Sequence, residues 1–305
     1  MYILFFLIQS VFALETDNYV TWKRELSDSS EIINEILKEQ ILIAASEETN
    51  QDCRSLMEAV SNKFKAFLVH GNPLENWLKE KLTAEQIYPK DRSYLNESIY
   101  RNPLRFYTPL FSLSPNLQVS GIYFGTDKLT HFSSTGRRYF EHYSKKIKSG
   151  KSPTEALDSA IRFGLQNEAG PLGIWSSGVF SYADVEANYQ GFLFYQNICM
   201  SKNSYMISRN GNWKMIRRPD IRLFVNPDWD ETHNRSYYSK ENWKKISAVL
   251  RSEYCPLMKT NLVLKRSEHY RKNYVESYSM KFIRTLQSSG ANLAPKAPEF
   301  SCAKD

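Results

Sequence analysis

Five side chains near the middle of the chain have the types and spacing of a polar site: Asp127, His131, Glu168, Asp184 and Asn188. Asp127 and His131 are four residues apart, as are Asp184 and Asn188, so on helices each pair shares a face. Glu168 falls near a helix C-terminus, where the macrodipole is negative, so its carboxylate needs another partner: a cation, a metal, a protonated His or its own proton. Three chemistries are open to this set. His131 with Glu168 and Asp184 would ligate a divalent metal, leaving positions for water, and Asp127 would orient the imidazole. Without metal, Glu168 and Asp184 would form a general acid and base pair with Glu168 the acid; carboxyls roughly 5 to 9.5 Å apart would suit glycoside cleavage. The third is a closed hydrogen-bonded network that ties three helices together without turnover. Lys128 and Ser181 flank the set as binding neighbours.

Three helices must position these groups. One begins at Asp127, runs to about Lys148 and stops at Gly150. Ser152-Pro153-Thr154-Glu155 combines a capping box with proline at the first helical position and opens the next, which passes Ile161 and Leu165 before reaching Glu168. Ser181 with Asp184 three residues on caps the third. There Asp184, Asn188 and Gly191 share a face, and Gly191 lets another backbone or a ligand come close. Upstream, Ile32, Ile33, Ile36, Leu37, Ile41 and Leu42, then Leu56, Val60 and Phe64, recur at helical spacing. Residues 74–120 read as irregular, and 117–124 as a short strand or an extended lead-in. Downstream, Asn210-Gly211-Asn212 predicts a hairpin turn, 221–225 a short strand, and 242–254 and 268–286 helices. Asp228, Asp230, Glu231 and His233 surround Trp229. They lack the Gly and terminal Glu of an EF-hand and read as a calcium-like site or as a capped loop.

The 305 residues include 42% hydrophobic and 14% aromatic side chains, enough for a substantial core and against disorder. The formal charge of +7 suits an anionic cell-envelope component, and no nucleic-acid module is present. No Gly-x-Ser-x-Gly and no phosphate-binding glycine loop occurs, which argues against an α/β-hydrolase and a nucleotide enzyme. Residues 1–13 are an apolar run ending in Val11-Phe12-Ala13, the pattern of a cleaved secretory signal, and are short for a membrane span. In an exported chain the four cysteines, Cys53, Cys199, Cys255 and Cys302, predict two disulfides with three connectivities open.

The order Asp127, Lys128, His131, Phe132, then Gly164 and Glu168, then Ser181, Asp184, Asn188 and Gly191 resembles the YfiM-like family of bacterial envelope lipoproteins. It is more distantly similar to the VanZ-like membrane proteins. The similarity covers residues 121–195 and implies an envelope location and a shared helical core, without a particular reaction. The chain departs from that family in having no lipobox Cys and in its two long flanks. The expected fold is mainly α: a bundle-like central domain over residues 121–200, a helical region over 14–120 before it, and an irregular, partly β region over 201–305. The expected function is that of an exported protein of the periplasm or outer envelope with a structural or binding role. The alternative is a hydrolase of envelope glycan or lipid-linked material, metal-dependent or using the carboxylate pair.

Overall fold

The computed structural model describes residues 15–65, 72–89, 96–101, 113–170, 172–175 and 177–302; the signal-like stretch 1–13 lies outside them. Helix α1 (Ser30–Glu47) buries Ile33, Ile36, Leu37 and Ile41, as their spacing requires, while Leu42 is exposed and Ile32 half-buried. Helix α2 (Cys53–Lys63) starts where Asp52 accepts the Ser55 amide. Residues 74–120 are less irregular than expected. Asn72 caps α3 (Pro73–Lys81) by accepting the Leu74 amide, with Pro73 at the first helical position. Strands β1 (Ile87–Tyr88), β2 (Asn116–Val119) and β3 (Ile122–Gly125) then form an antiparallel sheet in that order. Leu117 pairs with Phe124, and Ser120 (φ 50°) with Gly121 (φ 80°) makes the two-residue turn.

The helix expected from Asp127 to Lys148 is continuous but not uniform. α4 (Thr126–Thr130) passes into one π-helical turn, His131–Thr135, and then into α5 (Gly136–Lys148). Helix α6 (Pro153–Ala169) carries the predicted capping box, in which the Ser152 side chain and the Glu155 carboxylate satisfy each other's amides. After β4 (Val179–Phe180) comes α7 (Tyr182–Cys199), the axis of the molecule. Fourteen of its 18 residues are buried, so α7 is enclosed on all sides and every polar group on it must find a partner inside the protein. Helices α2, α5 and α6 pack on it, as does the π turn. Gly191 makes the close approach possible: a Cβ there would lie 2.0 Å from the Phe132 carbonyl oxygen, and one on Gly136 would lie 2.6 Å from Gly191 Cα.

The C-terminal region is mixed. β5 (Met206–Arg209) and β6 (Asn212–Met215) form the predicted hairpin around Asn210 and Gly211. The expected strand at 221–225 is instead a 3-10 turn, Ile221–Leu223, because Asp220 caps it and Asn34 of α1 accepts the Ile221 amide at 2.7 Å. A second 3-10 turn, Pro227–Trp229, sinks Trp229 between Phe124 and Phe132. β7 (Tyr237–Tyr238) pairs with β4, and α8 (Lys240–Val249) follows. The helix expected over 268–286 is two, α9 (Asn261–Asn273) and α10 (Tyr278–Ser288), since Ser277 accepts the Met280 amide and starts a new helix. The fold is thus mainly α with small sheets. Its main core draws on α1, on α7 and on α10 alike. Disulfides Cys53–Cys199 and Cys255–Cys302 tie α2 to the end of α7 and fix the tail. Among the described residues no helix is long and apolar enough to cross a membrane.

Candidate functional site

All seven side chains singled out from the sequence meet in one buried cluster. Asp127, Lys128 and His131 come from α4 and the start of the π turn. Glu168 comes from the end of α6, Ser181 from the cap of α7, and Asp184 and Asn188 from its first two turns. None is more than 4% exposed.

Lys128 is fully buried at the centre. Its Nζ lies 2.7 Å from each of Asp127 Oδ2, Asp184 Oδ1 and Glu231 Oε1. An ammonium has three N–H groups, so the three acceptors match its donors in number. Burial alone would lower the lysine's pKa, but the three carboxylates outweigh it and hold the group well above its ordinary value. Each carboxylate has further support. Thr16 donates to Asp127 Oδ1 at 2.5 Å, and Ser181 donates to Glu231 Oε1 at 2.9 Å. The Asn18 side chain accepts the Glu231 amide at 2.8 Å. Burial, only partly offset by Lys128, raises Glu231 to about 7.

Glu231 and the segment from Glu15 to Asn18 are the members that sequence reasoning missed. Glu231 belongs to the acidic group around Trp229, which does not gather into a calcium-like site. Asp230 instead accepts the Tyr270 hydroxyl at 2.6 Å, and Asp228 lies beside Tyr274. The loop is capped by Asn226 and anchored by Trp229, while Glu231 reaches across to Lys128. Glu15 is pushed up to about 8 by burial and by Glu231 and Asp184. One of its carboxylate oxygens is buried without a partner. No local periodicity marks either residue, because each arrives from a loop more than 100 positions from Asp127 and Lys128 in sequence.

The other end of the cluster is built on His131. Its Nδ1 lies 3.1 Å from Asn188 Oδ1, and its Nε2 lies 3.3 Å from Asp184 Oδ2. Asn188 therefore orients the imidazole. Asp127, expected in that role, is engaged by Lys128 and Thr16, because the π turn begins at His131 and turns the ring toward α7. Burial opposes ionisation of Asp184, but His131 and Lys128 prevail and hold it below the usual carboxylate range. Glu168 is raised well above that range by burial, then by Asp184 and Glu15. The Ser181 backbone amide donates to it, yet Oε1 remains buried with no partner. Donor atoms of His131, Glu168 and Asp184 lie within 4.8 Å of one another.

Comparison with protein-family models, with curated proteins and with solved structures finds no match. What the cluster can do follows from its own atoms. It can hold positive charge, as Lys128 demonstrates, and it can lock α4, α6 and α7 to the N-terminal segment and the Trp229 loop.

Proposed function

We propose that this is an exported bacterial envelope protein whose central cluster is a closed structural and binding centre built on a buried ammonium. Lys128 carries this reading. Three buried carboxylates converge on one buried ammonium, and their side chains are 1% to 5% exposed. That arrangement fixes packing, because every member is costly to leave unpaired.

Several observations support the export part of the reading. All four cysteines are paired, the state favoured in oxidising compartments. Residues 15–18, which would follow cleavage after Ala13 almost directly, are threaded into the cluster through Thr16 and Asn18. The residues that carry the YfiM-like resemblance meet in or beside one site: seven line the cluster, Phe132 packs on Trp229, and Gly191 and Gly164 are close-approach points. Among the described residues nine acidic side chains are buried against two basic ones, Lys128 and Arg266. The exposed surface is thus more cationic than the total of +7 suggests, which suits an anionic envelope component.

A hydrolase of envelope glycan or lipid-linked material would use His131, Glu168 and Asp184. It would need an opening to groups that are now 2%, 1% and 4% exposed. Two experiments test the main reading. Expressed with its own N-terminus in a Gram-negative host, the protein should be recovered from the periplasm beginning near Leu14; retention in the cytosol with Met1 intact overturns export. Lys128→Met should fold poorly at neutral pH, and a variant as stable as wild type overturns the structural centre.

A further inference from the structure

The His131 end of the cluster has more electron pairs than hydrogens to separate them. Asn188 Oδ1 only accepts, so His131 Nδ1, 3.1 Å away, donates to it, and Nε2 is the ring atom left to meet the carboxylates. Nε2 faces Asp184 Oδ2 at 3.3 Å and has no hydrogen-bond partner. Glu168 Oε1 is also buried and unpartnered, on a residue 1% exposed. Lys128 cannot answer this need, because three carboxylate oxygens already surround its ammonium. An imidazole nitrogen and two carboxylates this close together need a proton or a metal ion between them.

We propose that His131 Nε2, the Glu168 carboxylate and Asp184 Oδ2 hold one divalent first-row metal ion, zinc being the best fit. One imidazole and two carboxylates are ligands of that class, whereas calcium and magnesium take oxygen alone. With zinc bonds of about 2.0–2.1 Å, neighbouring ligands of a tetrahedron stand about 3.3–3.4 Å apart. The Nε2–Oδ2 distance of 3.3 Å has that value. Asn188 would fix the tautomer from the far side of the ring, the usual support for a ligating imidazole. Asp184 would bridge the two centres, with Oδ1 on Lys128 and Oδ2 on the ion. The proposal rests on the closed-centre reading and deepens it: the ion is the second counter-charge of the cluster.

The test uses the full mature chain, refolded from denaturant with and without zinc so that closure of the site does not block loading. Elemental analysis of the zinc-refolded, desalted protein should find about one zinc per chain. Zinc should raise the melting temperature by about 5 °C or more, and a chelator present during refolding should abolish the rise. His131→Ala and the near-isosteric Glu168→Gln should each lower zinc affinity at least about tenfold. Asp127→Asn, on the Lys128 side, should lose stability yet keep its zinc. Wild-type protein that refolds without retaining zinc or manganese, and melts at the same temperature with or without them, overturns the metal site. It leaves the Lys128 centre standing. Conversely, full zinc content in a Lys128→Met protein of undiminished stability would overturn that centre and leave the metal site.

Discussion

Glu186 and Glu168 are both helical carboxylates, 0% and 1% exposed, and the protein treats them in opposite ways. Glu186, on α7, accepts from Gln190 at 2.7 Å, Asn226 at 2.8 Å, Ser277 at 2.7 Å and the Ser279 hydroxyl. Its oxygens are satisfied by neutral donors from α7, the Trp229 loop and the start of α10. Glu168, on α6, has the Ser181 amide and an unpartnered oxygen, and burial with Asp184 and Glu15 raises it well above the carboxylate range. The first is a complete structural joint. The second belongs to a centre that shares one ammonium among too many acids. A buried carboxylate is therefore uninformative by itself; the supply of hydrogen-bond donors around it separates a joint from a binding centre.

That contrast can be broken at four places. The largest effect is expected at Lys128. Lys128→Met leaves three buried carboxylates uncompensated and should cost roughly 3–5 kcal/mol, read as a lower urea midpoint at pH 7 that partly recovers at pH 5. Next is the contact that brings the π turn onto α7. Gly191→Ala drives a Cβ into the Phe132 carbonyl at 2.0 Å, a backbone atom that cannot swing aside. It should cost about 3 kcal/mol or more, and Gly191→Ser should be no better.

Third comes pH. Burial raises Asp17 to about 6, and burial with Glu186 nearby raises Asp228 to about 7. A carboxyl raised on folding contributes stability that is present below its unfolded pKa and lost as pH rises through its folded one. Thermal stability should therefore fall between about pH 4 and pH 8 as these two groups ionise. Asp228→Asn should flatten the profile over that window; an unchanged slope would remove Asp228 as a source. The smallest effect is expected at Glu186→Gln, about 1–2 kcal/mol, because the Ser277 and Ser279 hydroxyls can turn to accept from the new amide. A loss as large as that of Lys128→Met would erase the distinction between joint and centre.

Much of the site was legible because its members lie on helices with local signals. The four-residue spacings of Asp127 with His131 and of Asp184 with Asn188, the capping box at Ser152 and the cap at Ser181 are all properties of a few consecutive residues. The glycine at 191 was legible as a close approach, though not which backbone would approach. Two errors had one cause. Read as a strand, 221–225 is turned by the hydrogen bond that the Ile221 amide donates to Asn34, 187 positions away. Read as one helix, 268–286 is divided at Ser277, whose hydroxyl also binds Glu186, 91 positions away. In both cases a distant polar partner overrode the local pattern.

Local order by itself thus determined a mainly helical chain, the helix starts, the turn at Asn210-Gly211, and the residues that would face one another across α4, α6 and α7. Their periodicities and caps act over one or two turns, where sequence and geometry are bound together. Only the tertiary structure decided which groups share the cluster. It brought Glu231 to Lys128 and Thr16 to Asp127, gave the imidazole to Asn188, and paired Cys53 with Cys199. Those choices follow from closing long loops around a helix buried on every side, where each polar group accepts the partner that packing delivers.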